Sequence, residues 1–437
     1  MKKMLCLAAA LALLLTGCVI QPAPGETTAD ITTVETQTQP PTTEPEPTQE
    51  EWAVLTPPLE YEIINGFAKT PTHYYAAHDG GILRTPIGDI SKQEKIPLPD
   101  SHEGMKLNGA EICGITEEWL FVNIWEAREK KRDTYGDGPD DYYEYEDYTD
   151  RTCVTYRIAM GSWKAEAIAA GIYDYRPLPW YNSASDSLII PQVVKDDEEN
   201  WSQLLFEAMP LSTRKRVPVP LDNERLAIRF WSSWWQNTLD GNAVLVDCQT
   251  SEYNNYYVFD KNNQVQLNQL GGMHFATRYE VEPLRKNKAE EDLYAIYGCG
   301  PYITCGAYVY YVQYNPDWDR RDFYRVNTDG TGRKLLREDT NIFQLHSLGG
   351  KLFCQAYHPT EVDKWDARQI DMYLLDKEGK VKEVLFHYYE DTEGNSGYGL
   401  ASYGDKLMVT YGVIYGQPSF FFLYDPATGA RFPAQKG

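Results

Sequence analysis

The sequence predicts an all-β domain, and three observations support that prediction. Among 437 residues there are 33 Tyr and 11 Trp but only 8 Met, a composition typical of strands. Beyond Glu60, short apolar or aromatic runs alternate with Gly, Asn and Asp, which favour turns. One four-stranded pattern recurs seven times along this region, as described below. Together these observations predict a β-propeller of seven four-stranded blades.

The chain begins with a predicted leader of 17 residues. Met1-Lys2-Lys3 precedes an apolar run from Met4 to Leu15, which is typical of a secretory signal and too short for the roughly 20 residues that span a bilayer. The next segment, Leu15-Thr16-Gly17-Cys18, resembles the lipobox of bacterial lipoproteins. This resemblance implies cleavage before Cys18 and fatty acylation, including palmitate, at that residue. The mature protein would then be anchored in the cell membrane and face outside the cytoplasm. The alternative is an ordinary signal peptide followed by an unrelated cysteine.

Residues 21–51 consist largely of Thr, Pro, Gln and Glu and contain neither Lys nor Arg. Such a segment buries too little apolar surface to offset its ordering entropy, so we expect an extended, disordered spacer. A glycosylated stalk or a segment that crosses the cell wall would serve the same purpose. The predicted plan is a signal peptide over residues 1–17, the lipidated cysteine and linker over 18–58, and the propeller over 59–437.

The repeat is defined by two runs in each unit. The first and stronger runs are His73–Ala76, Trp119–Val122, Leu188–Ile190, Ala243–Val246, Tyr308–Tyr311, Leu352–Cys354 and Leu407–Val409. The aligned positions of the runs that follow are Leu83, Tyr156, Phe206, Tyr257, Tyr324, Tyr373 and Phe422. Successive differences between these seven numbers are 73, 50, 51, 67, 49 and 49, so the period is about 50 residues with two insertions. Two stacked β-sandwiches are the alternative, but they would not predict so regular a repeat.

One unit also resembles a known family. The stretch Asp322–Leu336 reads DFYRVNTDGTGRKLL and resembles the repeat of bacterial propeller proteins related to the low-density-lipoprotein-receptor type. Tyr308–Tyr311 is similar to the strand that precedes that repeat. The resemblance implies a propeller fold, often in lipoproteins, and implies no activity. We do not interpret Trp318-Asp319 and Trp365-Asp366 as a WD-repeat signature, because they do not end the second run of their units.

Long insertions between strands predict where a ligand would bind. They are Arg128–Asp150, Lys195–Asn200, Asn315–Arg321, His358–Gln369 and, between two units, Gly271–Ala295. In an antiparallel blade these connections open on one face, and loops on a rigid scaffold commonly carry binding residues. The site candidates on that face are Trp201, Trp318, Asp319, Trp365 and Asp366.

Aromatic rings beside carboxylates suit a sugar or a peptide, since a ring stacks on an apolar surface while carboxylates accept hydroxyl or amide hydrogen bonds. The alternative is that each Trp packs on its own blade and each Asp pairs with an Arg. The run Phe230–Trp235 fits core packing better than a ligand platform. The basic cluster Arg285–Lys288, followed by Ala289-Glu290-Glu291, predicts a short solvent-facing helix.

An acidic insert offers a weak calcium candidate. Asp133, Asp137, Asp140 and Asp141 lie in a Gly-containing segment, and Ca²⁺ takes six to eight oxygen ligands. The spacing lacks the alternating acids of an EF-hand, so a solvated acidic loop is the alternative. No other cofactor is predicted, since paired metal-binding Cys motifs and two-His helix motifs do not occur.

The cysteines beyond Cys18 fall mainly on strands of different units, which favours buried free thiols. Cys113 and Cys153 share a unit but are separated by its second strand, too far for a bridge. Cys299 and Cys305 are close enough in sequence for a disulfide, and the sequence leaves that pairing open.

The net charge and the absence of several catalytic and nucleotide-binding motifs argue against some functional classes. With 41 Lys plus Arg against 64 Asp plus Glu, the formal net charge is -23, which argues against a nucleic-acid partner. The sequence has no Gly-x-Ser-x-Gly elbow, phosphate loop or dinucleotide fingerprint. We therefore expect non-catalytic binding of an envelope or environmental glycan, peptide or protein. The alternatives are a carbohydrate-active hydrolase or lyase using two carboxylates, and a structural scaffold in an envelope complex.

Overall fold

The structure of the protein is a computed structural model. It describes residues 52–56, 60–64, 66–100, 106–129, 133–135, 143–145, 148–172, 177–195, 202–220, 233–238, 240–248, 254–268, 280–283, 287–295, 299–315, 320–358, 367–391, 396–413 and 417–434. The predicted leader, Cys18 and the linker as far as residue 51 lie outside these ranges. No helix in the described ranges has the length and apolar character needed to cross a bilayer.

The first half of the described chain forms three blades, preceded by strand β1 (Trp52–Thr56). Blade 1 contains β2 (Glu62–Ile64), β3 (Phe67–Lys69), β4 (His73–His78), β5 (Gly81–Pro86) and β6 (Glu94–Ile96). Blade 2 contains β7 (Lys106–Ile115) and β8 (Trp119–Glu129), then, after the hairpin β9 (Asp133–Tyr135) and β10 (Tyr143–Tyr145), β11 (Tyr148–Ala159) and β12 (Ala165–Ile172). Blade 3 contains β13 (Trp180–Asn182), β14 (Ser187–Lys195), β15 (Ser202–Pro210) and β16 (Val217–Pro218).

The second half forms four blades. Blade 4 contains β17 (Ser233–Asn237), β18 (Ala243–Cys248), β19 (Asn254–Phe259) and β20 (Val265–Asn268), and is followed by β21 (Glu280–Pro283) and helix α1 (Lys288–Ala295). Blade 5 contains β22 (Cys299–Cys305), β23 (Tyr308–Asn315), β24 (Arg320–Asn327) and β25 (Lys334–Arg337). Blade 6 contains β26 (Ile342–Leu348), β27 (Lys351–Tyr357), β28 (Ala367–Leu375) and β29 (Val381–Asp391). Blade 7 contains β30 (Ser396–Tyr403), β31 (Lys406–Val413), β32 (Gln417–Tyr424) and β33 (Arg431–Phe432).

The fold is the predicted all-β propeller of seven antiparallel blades. Each of the strong runs in the sequence forms the second strand of a four-stranded meander, counted from the inner edge. Blade 1 differs because the short strand β2 adds a fifth strand at its inner edge, where Ile64 pairs with Phe67. Outside the blades, β1 pairs antiparallel with β21, in the insertion between blades 4 and 5.

Alternation along the strands provides each blade with two apolar faces. In β23, Tyr310 and Val312 belong to a cluster with Ile342 and Leu352 of blade 6. Val309, on the opposite face of the strand, packs instead in a cluster with helix α1. A blade with two buried faces needs a neighbour on each side, which is why the unit repeats.

An arginine recurs directly after the aligned position of the third strand and lies over an aromatic ring. The guanidinium carbon-to-centroid distances are 4.4 Å for Arg84 on Trp163, 4.3 Å for Arg157 on Trp119 and 4.1 Å for Arg325 on Tyr308. Arg325 also forms an ion pair of 3.0 Å with Glu378 in the next blade. These cation–π contacts join strands and neighbouring blades at the same repeat position.

One prediction about the second half of the chain needs correction. The helix predicted near Arg285–Lys288 begins at Lys288 and is not solvent-facing, since Ala289 and Leu293 are buried against blade 5. These two residues are four positions apart and therefore form one apolar stripe. Asn287 and Glu290 form a reciprocal cap: Glu290 N donates to Asn287 Oδ1 over 2.9 Å, and Asn287 N donates to Glu290 Oε2 over 3.2 Å.

The disulfide considered for Cys299 and Cys305 is not formed, because Cys305 is a free thiol. The two residues stand at opposite ends of β22, where they pair with Gln313 and Tyr308 respectively, so the strand itself separates them. Cys113 and Cys153 are also free and buried, as predicted. Burial raises the pKa of the Cys305 thiol to about 11, which keeps it protonated at neutral pH.

Candidate functional site

The connections of each meander alternate between two ends of its blade. At one end lie short turns such as 306–307, 349–350 and 404–405, which join the first and second strands. At the other end lie the strand ends that flank the long connections 130–147 and 269–298 and those at 316–319 and 359–366. We call this second end the loop-rich face. Its position agrees with the predicted ligand-binding face.

The predicted site residues Trp201, Trp318, Asp319, Trp365 and Asp366 lie outside the described residues. Their predicted role therefore stays a prediction. The structure does describe the strand ends that flank the last four of them, in blades 5 and 6. These strand ends carry two buried carboxylates that were not among the site residues predicted from the sequence.

The first carboxylate belongs to Asp322, near the start of β24. Its side chain is 4% exposed, and Oδ1 accepts a hydrogen bond of 3.1 Å from the backbone N–H of Asp339. Arg320 Nε lies 3.2 Å from the same oxygen, and Arg320 Nη1 lies 3.6 Å from Glu338. Arg320 therefore pairs with acids of its own blade and of the following connection.

The second carboxylate belongs to Asp371 in β28, and its side chain is 5% exposed. Oδ1 accepts a hydrogen bond of 2.7 Å from Gln369 Nε2, and Oδ2 accepts one of 2.5 Å from the Tyr373 hydroxyl. Burial and the adjacent Asp371 carboxylate raise the pKa of Tyr373, so the phenol stays protonated and can donate. A buried carboxylate with both oxygens occupied is rigidly held.

His358 extends this second cluster toward solvent. Its Nε2 lies 3.9 Å from Asp371 Oδ2, and its side chain is 34% exposed. The backbone N–H of His358 donates to Gln369 O over 2.9 Å, which fixes the base of the connection 359–366. An imidazole that contacts a buried carboxylate on one side and solvent on the other can bind a ligand hydroxyl or transfer a proton.

The two clusters occupy equivalent repeat positions. Asp322 and Asp371 are each two residues before an aligned tyrosine, Tyr324 and Tyr373, and both pairs are 49 positions apart, since 371 − 322 = 49 and 373 − 324 = 49. The shared Asp-x-Tyr pattern was therefore visible in the sequence. It occurs in the two blades whose preceding connections carry Trp-Asp. The buried aspartates hold the bases of the two connections that contain the predicted tryptophans.

The calcium candidate is described only in part. Asp133 begins β9, which pairs with β10 so that Asp133 is opposite Tyr145. Asp137, Asp140 and Asp141 lie outside the described residues. Within the described part of the chain, no group of three or more His, Cys, Asp or Glu residues is placed to hold a metal ion.

The run Phe230–Trp235 is described from Ser233 onward. Trp234 and Trp235 are 5% and 4% exposed and belong to apolar clusters of blade 4, which confirms core packing for these two residues. Trp235 Nε1 donates to Leu178 O over 2.8 Å. Trp234 Nε1, although buried, has no hydrogen-bond partner in the part of the chain that is described.

No protein-family model and no curated protein matches the chain. Among solved structures, it is similar to a prolyl endopeptidase, with 13% identity, 87% of this chain and 49% of that chain covered, and a TM-score of 0.31. It is similar to dipeptidyl peptidase 4 of Porphyromonas gingivalis, with 11% identity, coverage of 80% and 50%, and a TM-score of 0.28. It is also similar to oligogalacturonate lyase of Vibrio parahaemolyticus, with 10% identity, coverage of 82% and 76%, and a TM-score of 0.29. The chain spans about half the length of the two peptidases, and at these scores the likeness carries no argument about activity.

Proposed function

We propose that the protein is a binding module that holds a glycan, a peptide or a partner protein on the loop-rich face without chemical conversion. The observation that carries the proposal is the pair of equivalent clusters around Asp322 and Asp371. Each cluster fixes the base of a connection that contains a Trp-Asp pair. Two such connections on neighbouring blades would present two aromatic platforms beside hydrogen-bonding acids.

The chemistry of these connections favours a ligand with apolar surfaces and polar edges. An indole ring can stack on a sugar ring or on a peptide side chain, while an adjacent carboxylate accepts hydrogen bonds from hydroxyl or amide groups. Buried Asp322 and Asp371 contribute by positioning the connections, since Oδ1 of Asp322 and both oxygens of Asp371 already accept hydrogen bonds within the protein. Pre-organised loops lose less conformational entropy when they bind.

A thermal-shift screen of residues 52–437 against glycans, cell-wall fragments and peptides tests the proposal, with calcium or chelator in parallel. A ligand that binds only the folded state stabilises it by about 2.7 kcal/mol at a hundredfold excess over its dissociation constant. We expect the melting shift to be lost in Trp318→Ala or Trp365→Ala. It should persist in Trp163→Ala, which removes a tryptophan from a turn at the opposite end of blade 2.

The proposal includes a lipid anchor at Cys18 that attaches the protein to the outer side of the cell membrane. It rests on the Leu15–Cys18 segment and on the length and composition of residues 21–51. Full-length protein labelled with radioactive palmitate in a bacterial host should carry the label in the membrane fraction. Cys18→Ala should carry no label, and Cys305→Ala should match the wild type. Equal labelling of Cys18→Ala would contradict the anchor.

A second candidate function is a carbohydrate-active hydrolase or lyase, and the observation that favours it is His358 beside Asp371. A partly exposed imidazole supported by a buried carboxylate is suited to proton transfer. The test is incubation with a polysaccharide panel and measurement of new reducing ends or unsaturated products. Turnover that is lost in His358→Gln and kept in His346→Gln, a histidine at the other end of blade 6, would replace binding by catalysis as the function.

A further inference from the structure

Strand β2 occupies an unusual place in the ring. It is the fifth and innermost strand of blade 1, with Glu62 opposite Lys69 across the pair with β3. It also lies close to β7 of blade 2, β17 of blade 4 and β32 of blade 7. Ile63 is 4% exposed and belongs to the cluster that joins the cores of blades 1 to 4. This three-residue strand therefore lies where several blades converge.

Glu62 links β2 to the last blade. It is 4% exposed, and its Oε2 accepts a hydrogen bond from the hydroxyl of Tyr403, the final residue of β30. Tyr403 is itself 2% exposed, and its ring lies 5.5 Å from that of Phe67 and 6.0 Å from that of Tyr74. The ammonium of Lys69 lies 5.7 Å from the centroid of the Tyr403 ring.

The junction between blades 7 and 1 is held without a shared strand. Among the described strands, each blade is built from one continuous stretch of chain, and no strand from one end of the chain joins a blade at the other end. Side chains must hold this junction instead. An apolar cluster that includes Phe67, Tyr74, Tyr403 and Leu423 does so, together with hydrogen bonds between Gln93 and residues near the C-terminus. The bond between Glu62 and Tyr403 ties β2 to this junction.

We propose that β2 is a latch between the first and last blades, held while Glu62 is protonated and released when Glu62 ionises. A neutral carboxyl can be buried against Tyr403 and Ile63 while its Oε2 keeps the hydrogen bond from the Tyr403 hydroxyl. An ionised one loses its hydration in the same place, which favours a state in which β2 has separated from the junction.

The charged and titratable groups around Glu62 determine the pH range over which it ionises and the latch opens. Burial raises the pKa of Glu62 from its ordinary value to about 7, although the Tyr403 hydroxyl and Lys69 oppose the shift. Tyr74 and Asp405 complete the group, because the pKa of Tyr74 is raised by burial, by Asp405 and by Glu62. Of the other strands near β2, β7 carries Lys106, Glu111 and Cys113, β32 carries Tyr424, and β17 carries no ionisable residue.

Because the pKa of Glu62 is raised in the closed state, the closed latch becomes less stable as the pH rises. A carboxyl with a raised pKa in the closed state stabilises that state fully below the ordinary pKa of about 4.5, and the contribution is lost as pH rises to about 7. Opening of β2 should therefore increase across this interval and then level off. The open state regains an ionised, hydrated Glu62.

Hydrogen–deuterium exchange of the full chain at pH 5.0 and pH 7.5, corrected for intrinsic rates, tests the latch. We expect the protection of amides in residues 62–69 to fall at least tenfold at the higher pH. Protection in residues 243–248 of blade 4 should stay constant, which separates latch opening from global unfolding. In Glu62→Gln the amide oxygen can still accept from Tyr403, so protection in residues 62–69 should no longer depend on pH.

A second variant keeps the test decisive if Glu62→Gln does not fold. Tyr403→Phe removes the donor that favours the ionised carboxylate, so the difference in protection between the two pH values should widen. Tyr181→Phe, which removes a hydrogen bond of 2.9 Å to Asp186 in blade 3, is the matched control and should behave as the wild type at residues 62–69. Equal protection at both pH values in the wild type, or an unchanged pH dependence in Glu62→Gln, would overturn the proposal.

Discussion

At the scale of single residues, the structure separates two adjacent tryptophans that look alike in the sequence. Trp234 and Trp235 are both buried, on opposite sides of β17. Trp235 satisfies its indole N–H at Leu178 O, in the connection between blades 2 and 3, whereas Trp234 Nε1 has no partner among the described residues. A buried donor without a partner lowers stability, because it has lost its hydrogen bond to water.

Because only one of these two indoles has a hydrogen-bond partner among the described residues, we expect Trp→Phe to lower stability by different amounts at the two positions. Trp235→Phe removes a hydrogen bond and leaves a partly buried carbonyl without that donor, whereas Trp234→Phe removes a donor that has no bond to any described residue. Both variants lose similar volume, so we expect Trp235→Phe to lower the free energy of unfolding by about 1–3 kcal/mol more than Trp234→Phe. Urea denaturation followed by circular dichroism measures the difference. Equal losses would show that the Trp234 N–H has a partner in solution.

The two buried aspartates of the site, Asp322 and Asp371, could not be identified from the sequence. The aromatic and acidic character of the connections at Trp318 and Trp365 was visible because those residues are adjacent in the chain. Asp322 and Asp371 looked like ordinary polar positions of a strand. Their burial depends on partners that folding brings in, such as the Asp339 N–H and the Tyr373 hydroxyl, and no local pattern encodes those contacts.

At the scale of elements, strands were predictable and the helix was predictable only in part. Alternating apolar residues with turn signals identify a strand from a few neighbours, so the second strands of all blades fell where the pattern placed them. Helix α1 was expected to face solvent because its first residues are charged. Its buried side depends on Ala289 and Leu293, a short stripe that becomes apolar surface only against blade 5.

Turns between strands also pack against the neighbouring blade, and one of them provides a test. Gly379, in the turn before β29, has φ +71°, and a β-carbon there would lie 2.8 Å from Phe323 and 3.0 Å from Leu336 of blade 5. Gly404 has a similar φ of +60° with nothing within 4 Å of a β-carbon. The two positions share the backbone conformation and differ in the space around it.

We therefore expect Gly404→Ala to lower stability by about 1 kcal/mol, from the left-handed conformation alone. Gly379→Ala should cost a further 1–3 kcal/mol or so, because blade 5 must move away from blade 6 to accommodate the methyl group. Thermal and urea unfolding of both variants measure the two effects. If the losses are the same, the turn does not pack tightly against blade 5.

At the scale of the whole molecule, the repeat explains why the architecture could be predicted and the ring junction could not. Seven units with a period of about 50 residues predict seven blades, since a small sheet with two apolar faces needs a neighbour on each. The repeat contains no information about what joins the first unit to the last. That junction depends on pairs such as Gln93 with Arg431, which lie 338 positions apart.

Gln93 forms hydrogen bonds across the junction between blades 7 and 1, so its substitution measures how much they stabilise the protein. Its Nε2 donates to Arg431 O over 2.5 Å, and its Oε1 accepts from Ala434 N over 3.0 Å. Gln93→Ala removes both bonds, together with a hydrogen bond of 3.2 Å from Nε2 to Ile90 O in blade 1, so we expect the free energy of unfolding to fall by about 1–3 kcal/mol. Gln344→Ala, at a half-buried position of β26, is the control and should lose less. A small and equal effect of both variants would indicate that the apolar cluster alone holds blades 7 and 1 together.

If the loop-rich face binds the ligand, a protection footprint should show it. The measurement is hydrogen–deuterium exchange of the protein with and without the glycan or peptide that raises its melting temperature. We expect slower exchange in residues 315–321 and 358–369 of blades 5 and 6, with no change in the short turns at 349–350 and 404–405. Protection confined to those short turns, or to the outer strands, would mean that the ligand binds elsewhere and that the loop-rich face is not the binding face.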